Sequence, residues 1–502
     1  MKKKVFLSMM SGILATALLA GCGSSGSTAS ESTATDGASG DTTASVASAT
    51  SEQSVASSAN SIASSDETST SGADNSGKTV KIAFSGDSIT WQQAIIDQFE
   101  KDTGYTVEIN LIPSNQDQYS KIMMLMTSPE TCPDLIAEDG FMVKTDAAAG
   151  RLWALDDALA DWEDMDQYDP SILEGGKGED GKMYGLMTST DTQILYYNKN
   201  LLKAVGIDDV DNWQPKTWDE LLDVAKKLKE ANSDKEDFIP LWIWASTVHP
   251  EETSMRTFQL FLSGTGDEGA WPSQLYDEAT GKWVIDKEDD LAVLNFIDDA
   301  FNKSQVAETP SQAADTSLWD TLKSEGIKNG DVGMFISGSW EMAAYQENNQ
   351  YPWPEAEEVI GYASLPTKDG QAPGKTTVSG GWTWAIPNNA NNKEGGVALL
   401  KAICGFEGTK ARAIYNGETS PRKDVAETEE YQNQSPSAVP YSSTQLSFTH
   451  FRPSVDGYSS ITTSFAQMIE DVAFGTSSPE DALNTLQSEM IRQFGEDKVE
   501  VK

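Results

Sequence analysis

The chain is poor in metal-binding and redox side chains, with two His (His249 and His450) and three Cys among 502 residues. That leaves no Cys/His zinc cluster, no HExxH pair and no disulfide framework. Positive charge is also scarce. The 36 Lys+Arg face 78 Asp+Glu for a formal net charge of −42, which excludes a nucleic-acid partner held by phosphate neutralisation. No GxxxxGK[ST] phosphate loop occurs, so an ATPase of that type is not encoded. Past the N-terminus, no segment approaches the roughly 18 consecutive apolar residues that a spanning helix needs. Apolar and aromatic material is plentiful, at 38% hydrophobic with 14 Trp. The chain is longer than one core usually serves, so two lobes are expected.

The N-terminus reads as an export signal. Lys2, Lys3 and Lys4 form a positive start, and Val5 to Leu19 is a mostly apolar stretch of about 15 residues. Leu19-Ala20-Gly21-Cys22 resembles the lipobox of bacterial lipoproteins. That resemblance implies a signal peptide over 1–21 and an acylated, palmitate-bearing Cys22 that anchors the protein on the extracellular face of the cell membrane. The alternative is an ordinary secretory signal with an incidental Cys. Residues 22–77 hold Ser, Thr, Ala and Gly with no aromatic, Lys or Arg after Cys22, a composition that cannot bury enough to offset its ordering entropy. A flexible chain of that length spans on the order of 40 Å. So long a polar tether points to a Gram-positive surface, with a periplasmic membrane face as the alternative.

From Lys78 onward strands and helices alternate. Thr79–Phe84 and Thr106–Leu111 alternate at strand period, and Pro133–Ala137 reads as a third strand. Helical spacing marks Ile89–Lys101, with Ser88 as a cap, and Gln118–Met126. This is an α/β lobe, and in such sheets ligands sit beyond the carboxyl ends of the strands. Gly86, Asp87, Glu138 and Asp139 fall on that rim, with a solvated turn as the plain alternative for each. Lys182–Leu186 and Gln193–Asn198 are further strands joined by a polar link, and Thr217 caps a helix over Trp218–Glu230. Leu241–Trp244 alternates, so Trp242 and Trp244 share a face, either packed in the second lobe or exposed in a cleft.

Several motifs occur in a recognisable order: Phe99-Glu-Lys-x-Thr-Gly-Tyr-x-Val-Glu108, Cys132-Pro-Asp-Leu-Ile136, Gly150-Arg-Leu-Trp-Ala-Leu-Asp156, Leu195-Tyr-Tyr-Asn-Lys199, Asp331-Val-Gly-Met-Phe-Ile-Ser-Gly-Ser-Trp340 and Ser379-Gly-Gly-Trp-Thr-Trp-Ala-Ile386. Together they resemble the extracellular solute-binding proteins of ABC importers, most of all the carbohydrate-binding group (family 1). The resemblance implies an α/β, two-lobed periplasmic-binding-protein-like fold (class II type) with three interlobe crossovers. These crossovers fall near Thr188–Gln193, Ile360–Leu365 and Asn416–Pro421, giving a first lobe of 79–190 and 362–418 and a second of 191–361 and 419–502. It further implies a monomer that captures a mono- or oligosaccharide in the cleft and delivers it to permease subunits served by a separate ATPase, with no cofactor and no covalent chemistry.

Carried onto this chain, the resemblance implies ligand contacts at Asp87, Asp191, Trp340, Gly380, Gly381 and Trp382. Glu138 stands where the family carries an aromatic, so maltodextrin specificity is not implied. A pyranose offers apolar C–H faces and a ring of hydroxyls, so it suits flat aromatics with carboxylate or guanidinium partners. Asp139, Trp244 and Arg422 complete the candidate set, with an interlobe salt bridge as the alternative for Arg422 and core packing for the tryptophans. Gly264-Thr-Gly266-Asp-Glu-Gly269 spells GxGxxG but follows a helical pattern, so it reads as a loop. Asp161, Asp164, Asp166 and Asp169 read as a solvated acidic loop, and Cys132 and Cys404 as buried thiols. Two other readings are a polyamine or other small-solute receptor of the same fold and a surface glycoside hydrolase. The hydrolase needs a pair of carboxyls at defined separation, and no such pair stands out.

Overall fold

A computed structural model describes residues 78–86, 88–113, 118–266, 275–455 and 457–502. Asp87, Cys22 and the signal and tether segments lie outside the described residues.

The first lobe is built on a five-stranded sheet of order β2-β1-β3-β12-β4: β1 Thr79–Ser85, β2 Thr106–Ile112, β3 Leu135–Asp139, β4 Gly185–Met187 and β12 Trp382–Ala385. Strands β2, β1 and β3 run parallel. β12 inserts antiparallel between β3 and β4, pairing Thr383 with Glu138 and Met187. Alternation sends Val80, Ile82 and Phe84 to one face, where they meet Trp91 and Phe99 of the helix Thr90–Thr103 and Leu399, Leu400 and Ile403 of Lys393–Cys404. Ala83, Ile112, Ile136 and Ala385 cover the other face beneath Ile122 and Met126. Helix Thr90–Thr103 starts one residue later than Ser88 would allow as its cap, and the Ser88 hydroxyl instead bonds that of Thr90 at 3.0 Å. It ends on Gly104, at φ 75°, whose N–H donates to Glu100.

The second lobe carries a four-stranded sheet of order β10-β5-β9-β6: β5 Gln193–Asn198, β6 Ile239–Trp242, β9 Val332–Gly338 and β10 Ile360–Ala363. Its amphipathic cover helix Trp218–Ala231 is capped as expected, with Thr217 Oγ1 accepting from Glu220 N–H at 3.1 Å. Trp242 and Trp244 do share a face, their rings 5.4 Å apart and near perpendicular, and both also pack on Trp319. A small sheet of β7 Tyr276–Asp277, β8 Lys282–Ile285 and β14 Val499–Val501 docks the C-terminus, and β11 Thr377–Ser379 pairs with β13 Thr449–Phe451.

The crossovers differ in part from the expected positions. The first segment between the sheets runs from Thr188 to Thr192, joining β4 to β5. Residues 362–378 do not join the first lobe. β10 completes the edge of the four-stranded sheet through Ala363–Leu195 pairing, and Lys368 bonds both Gly264 and Trp218. The chain passes to the first lobe only at Ser379–Gly381. In the third, Thr419 pairs with Thr190, but residues 419–432 stay on the first lobe because Asp169 N–H donates to Pro421 O and Arg422 is anchored there. The second lobe resumes at Ser437, whose N–H donates to Glu357.

Glu308 lies buried under the second sheet, accepting from Ile243 N–H at 3.0 Å while its other oxygen finds no partner among the described residues. Burial pushes its carboxyl up from 4.5 to about 8. The folded state therefore holds this proton more tightly than the unfolded chain. The resulting stability is complete below the unfolded value and declines as pH rises through about 8. Urea unfolding at intervals from pH 4.5 to 8 should show the loss, and Glu308→Gln should flatten part of that slope; an undiminished slope in the variant would assign it elsewhere.

Candidate functional site

A cavity of about 690 Å³ lies between the lobes. The first lobe contributes the end of β3 and the helix that follows it (Asp139, Phe141, Lys144). The second contributes Gln259, Leu262 and the β7–β8 turn, and the crossover strands supply the floor at Thr190, Gly380, Gly381 and His450 to Ser454. Gln259 ends a run of π-helical turns, Thr253–Gln259, a distortion that recurs at functional sites because it re-aims side chains.

Arg452 organises the cavity wall. Its Nη2 donates to Asp139 Oδ2 at 2.6 Å, its Nη1 donates to Glu251, and the guanidinium lies 4.4 Å over the Phe141 ring. Asp139 ends a first-lobe strand and Glu251 sits in a second-lobe helical turn, so one arginine joins both lobes through buried charge-assisted bonds. Phe141 extends the junction, its ring 4.9 Å from Tyr458 and its carbonyl accepting from Ser454 Oγ at 2.8 Å. Burial raises the Glu251 carboxyl to about 7, although Arg452 opposes the shift. His450 is pushed down to about 4 by burial, so its imidazole is neutral at physiological pH.

The expected site residues divide. Asp139, Gly380 and Gly381 line the cavity. A Cβ on Gly380 would sit 2.8 Å from Arg452 Nη2, and one on Gly381 2.4 Å from the Ser189 carbonyl, so both glycines are required by close approach. Asp191 lies in the hinge, accepting from Gly380 N–H at 3.2 Å, with burial and Glu418 raising its carboxyl to about 6. The remaining candidates sit elsewhere. Glu138 points to the opposite sheet face from Asp139, as strand alternation requires, where burial and Asp146 hold its carboxyl well above the usual range. Trp244, 4% exposed, belongs to the second-lobe core. Trp340 is half-buried and does not line the cavity; Arg256 lies between it and Trp244, at 5.1 and 5.4 Å from the two rings. Trp382 packs against the first-lobe core. Arg422, 1% exposed, pairs with Asp164 at 2.8 Å and Asp424 at 2.7 Å and lies over Tyr168, so it staples the first lobe and does not line the cavity. Asp164 thus has a structural task in the acidic loop.

Phe141, Gln259, His450, Phe451 and Arg452 also line the cavity and were not singled out from sequence. The rarity of histidine was the available cue for His450; the three-residue β13 is too short to show periodicity.

Two lobes, crossing strands and a cleft between them are the architecture the motif order implied. The family of bacterial extracellular solute-binding proteins matches residues 86–404. The chain belongs to that family. Solved structures agree on the fold of this solute-binding protein. An ABC transporter solute-binding protein from Thermotoga lettingae TMO, bound with alpha-D-tagatose, superposes with a TM-score of 0.68 at 23% identity, covering 83% of this chain and 99% of that one. Maltose-bound MalE3 of T. maritima gives 0.68 at 20% identity, with 83% and 100% coverage. Among curated relatives, the sn-glycerol-3-phosphate-binding periplasmic protein UgpB of Brucella abortus is 36% identical over 85 residues, 17% of this chain and 19% of that protein. Lipoprotein LipO of Bacillus subtilis is 26% identical over 235 residues, 44% of each chain. These matches thus span under half the length of either relative.

Proposed function

We propose that this solute-binding protein captures a neutral carbohydrate in the interlobe cavity and hands it to an ABC permease, held at the extracellular membrane face by lipid on Cys22. The observation that carries the reading is the chemistry of the cavity wall. Asp139, Glu174, Asp277 and Glu278 outnumber Lys144 and Arg452, and His450 is neutral, so an anion such as glycerol phosphate meets net repulsion. The same carboxylates would attract a polyamine, but a polyamine offers no acceptor for the Arg452 guanidinium. Hydroxyls suit all of these groups, donating to carboxylates and accepting from guanidinium and imidazole. The tagatose and maltose held by the two structural neighbours support the same class. The cavity's role is binding without covalent chemistry.

A thermal-shift screen against maltose, tagatose, mannobiose, glycerol 3-phosphate and spermidine tests the assignment. A sugar at a hundredfold excess over its dissociation constant stabilises the native state by about 2.7 kcal/mol, and that shift is expected for at least one sugar. Stabilisation confined to glycerol 3-phosphate or spermidine would overturn the carbohydrate reading and leave the family unaffected. Loss of radiolabelled palmitate on Cys22→Ser tests the anchor.

A further inference from the structure

Two first-lobe groups are seated in the second lobe. Phe141 and Met142 open the first-lobe helix Gly140–Ala148, yet both are buried in the second lobe's core cluster, with Phe258, Tyr458 and Phe465. The Phe141 ring meets Tyr458 edge-on at 4.9 Å, and Tyr119 of the first lobe backs it at 5.5 Å. Backbone reinforces the seat, since Ser454 Oγ donates to the Phe141 carbonyl at 2.8 Å. Beside this knob the Arg452 guanidinium crosses to Asp139 Oδ2 at 2.6 Å, in a pair whose side chains are 3% and 11% exposed. Glu251 takes the other terminal nitrogen from the second-lobe side, which fixes the direction of the fork. A hydrogen bond of this kind is lost beyond about 3.5 Å, and a buried ion parted from its partner is costly. Turning the lobes apart therefore has to withdraw an aromatic ring from a core and separate a buried ion pair.

We propose that Phe141, Asp139 and Arg452 form an interlobe latch that holds the lobes closed whether or not solute is bound. Arg452 then acts as a positioning residue: it sets the closed fraction of the protein, and through that fraction the affinity. Apparent dissociation constants rise in inverse proportion to the fraction of molecules in the competent conformation. Loosening the latch thus weakens capture of any solute by a common factor, whatever the solute's chemistry. The latch stands apart from the carbohydrate reading, because its contacts are all made between groups of this chain.

Pulsed electron paramagnetic resonance on the full chain tests it with no solute added. Spin labels are placed through Glu108→Cys and Glu230→Cys, one exposed position on each lobe. A Cys22→Ser background leaves Cys132 and Cys404, both buried, as the native thiols. With the latch intact, one main distance is expected, that of this structure. Asp139→Asn keeps the side chain's shape but removes its charge, and should add a longer distance by raising the open-to-closed ratio about tenfold. Phe141→Leu changes no charge and should raise the same ratio about threefold, through the poorer fit of the smaller side chain in the second-lobe core. A main population at a longer distance in the unsubstituted latch would overturn the proposal. So would an Asp139→Asn distribution that matches it. An unchanged distribution in Phe141→Leu alone would overturn the ring's share and leave the ion pair as the latch.

Discussion

Arg422→Met is expected to lower the unfolding free energy by about 3 kcal/mol while leaving the affinity for solute unchanged. The guanidinium is buried, donates to Asp164 and Asp424, and reaches the Cys404 carbonyl at 3.2 Å. Methionine fills most of the volume but abandons that carbonyl and two carboxylates. Each carboxylate is about one-third exposed, so water partly replaces the lost partner and the cost falls at the low end for a broken buried pair. Urea unfolding with m-value control, alongside a ligand titration, separates stability from binding. A tenfold weaker Kd at unchanged stability would return Arg422 to the cleft.

Trp384→Ala should be the most damaging single truncation in the first lobe, at about 3–5 kcal/mol. Its ring is 0% exposed, lies 5.7 Å from that of Phe84, and occupies the centre of the layer between the five-stranded sheet and the helix Lys393–Cys404. Trp382, two residues earlier on the same strand and side of the sheet, sits at the strand's end and is only partly buried. Trp382→Ala is therefore expected to cost less than half as much. Chemical denaturation of the two variants side by side decides the matter; equal losses would show that the lobe's core extends to the strand end.

The parts of the fold legible from residues alone were those with local rules. Strand alternation through β1 and β2, the Thr217 cap and the shared face of Trp242 and Trp244 follow from spacing within a dozen residues. The cavity wall does not obey local rules. Arg452 meets Asp139 across 313 positions, and β13 pairs with β11 in a register that three residues cannot announce. Glu138 and Asp139 are adjacent and equally acidic, yet the pleat sends them to opposite faces, so a rim position alone could not say which one reaches the cleft. Arg422 followed the hinge in sequence, but its partner Asp164 lies in a loop whose four aspartates read as solvent-facing. The late crossovers share one cause, since segments 362–378 and 419–432 are held by hydrogen bonds to distant backbone.

Cys132 and Cys404 are both buried, and burial raises the Cys132 thiol to about 11 and Cys404 higher still. Thiolate is the reactive form, so neither sulfur competes for a maleimide dye at neutral pH. A dye pair attached through Lys101→Cys and Lys227→Cys, one exposed position on each lobe, would then report the interlobe distance by energy transfer, with and without solute, while Cys132 and Cys404 stay in place.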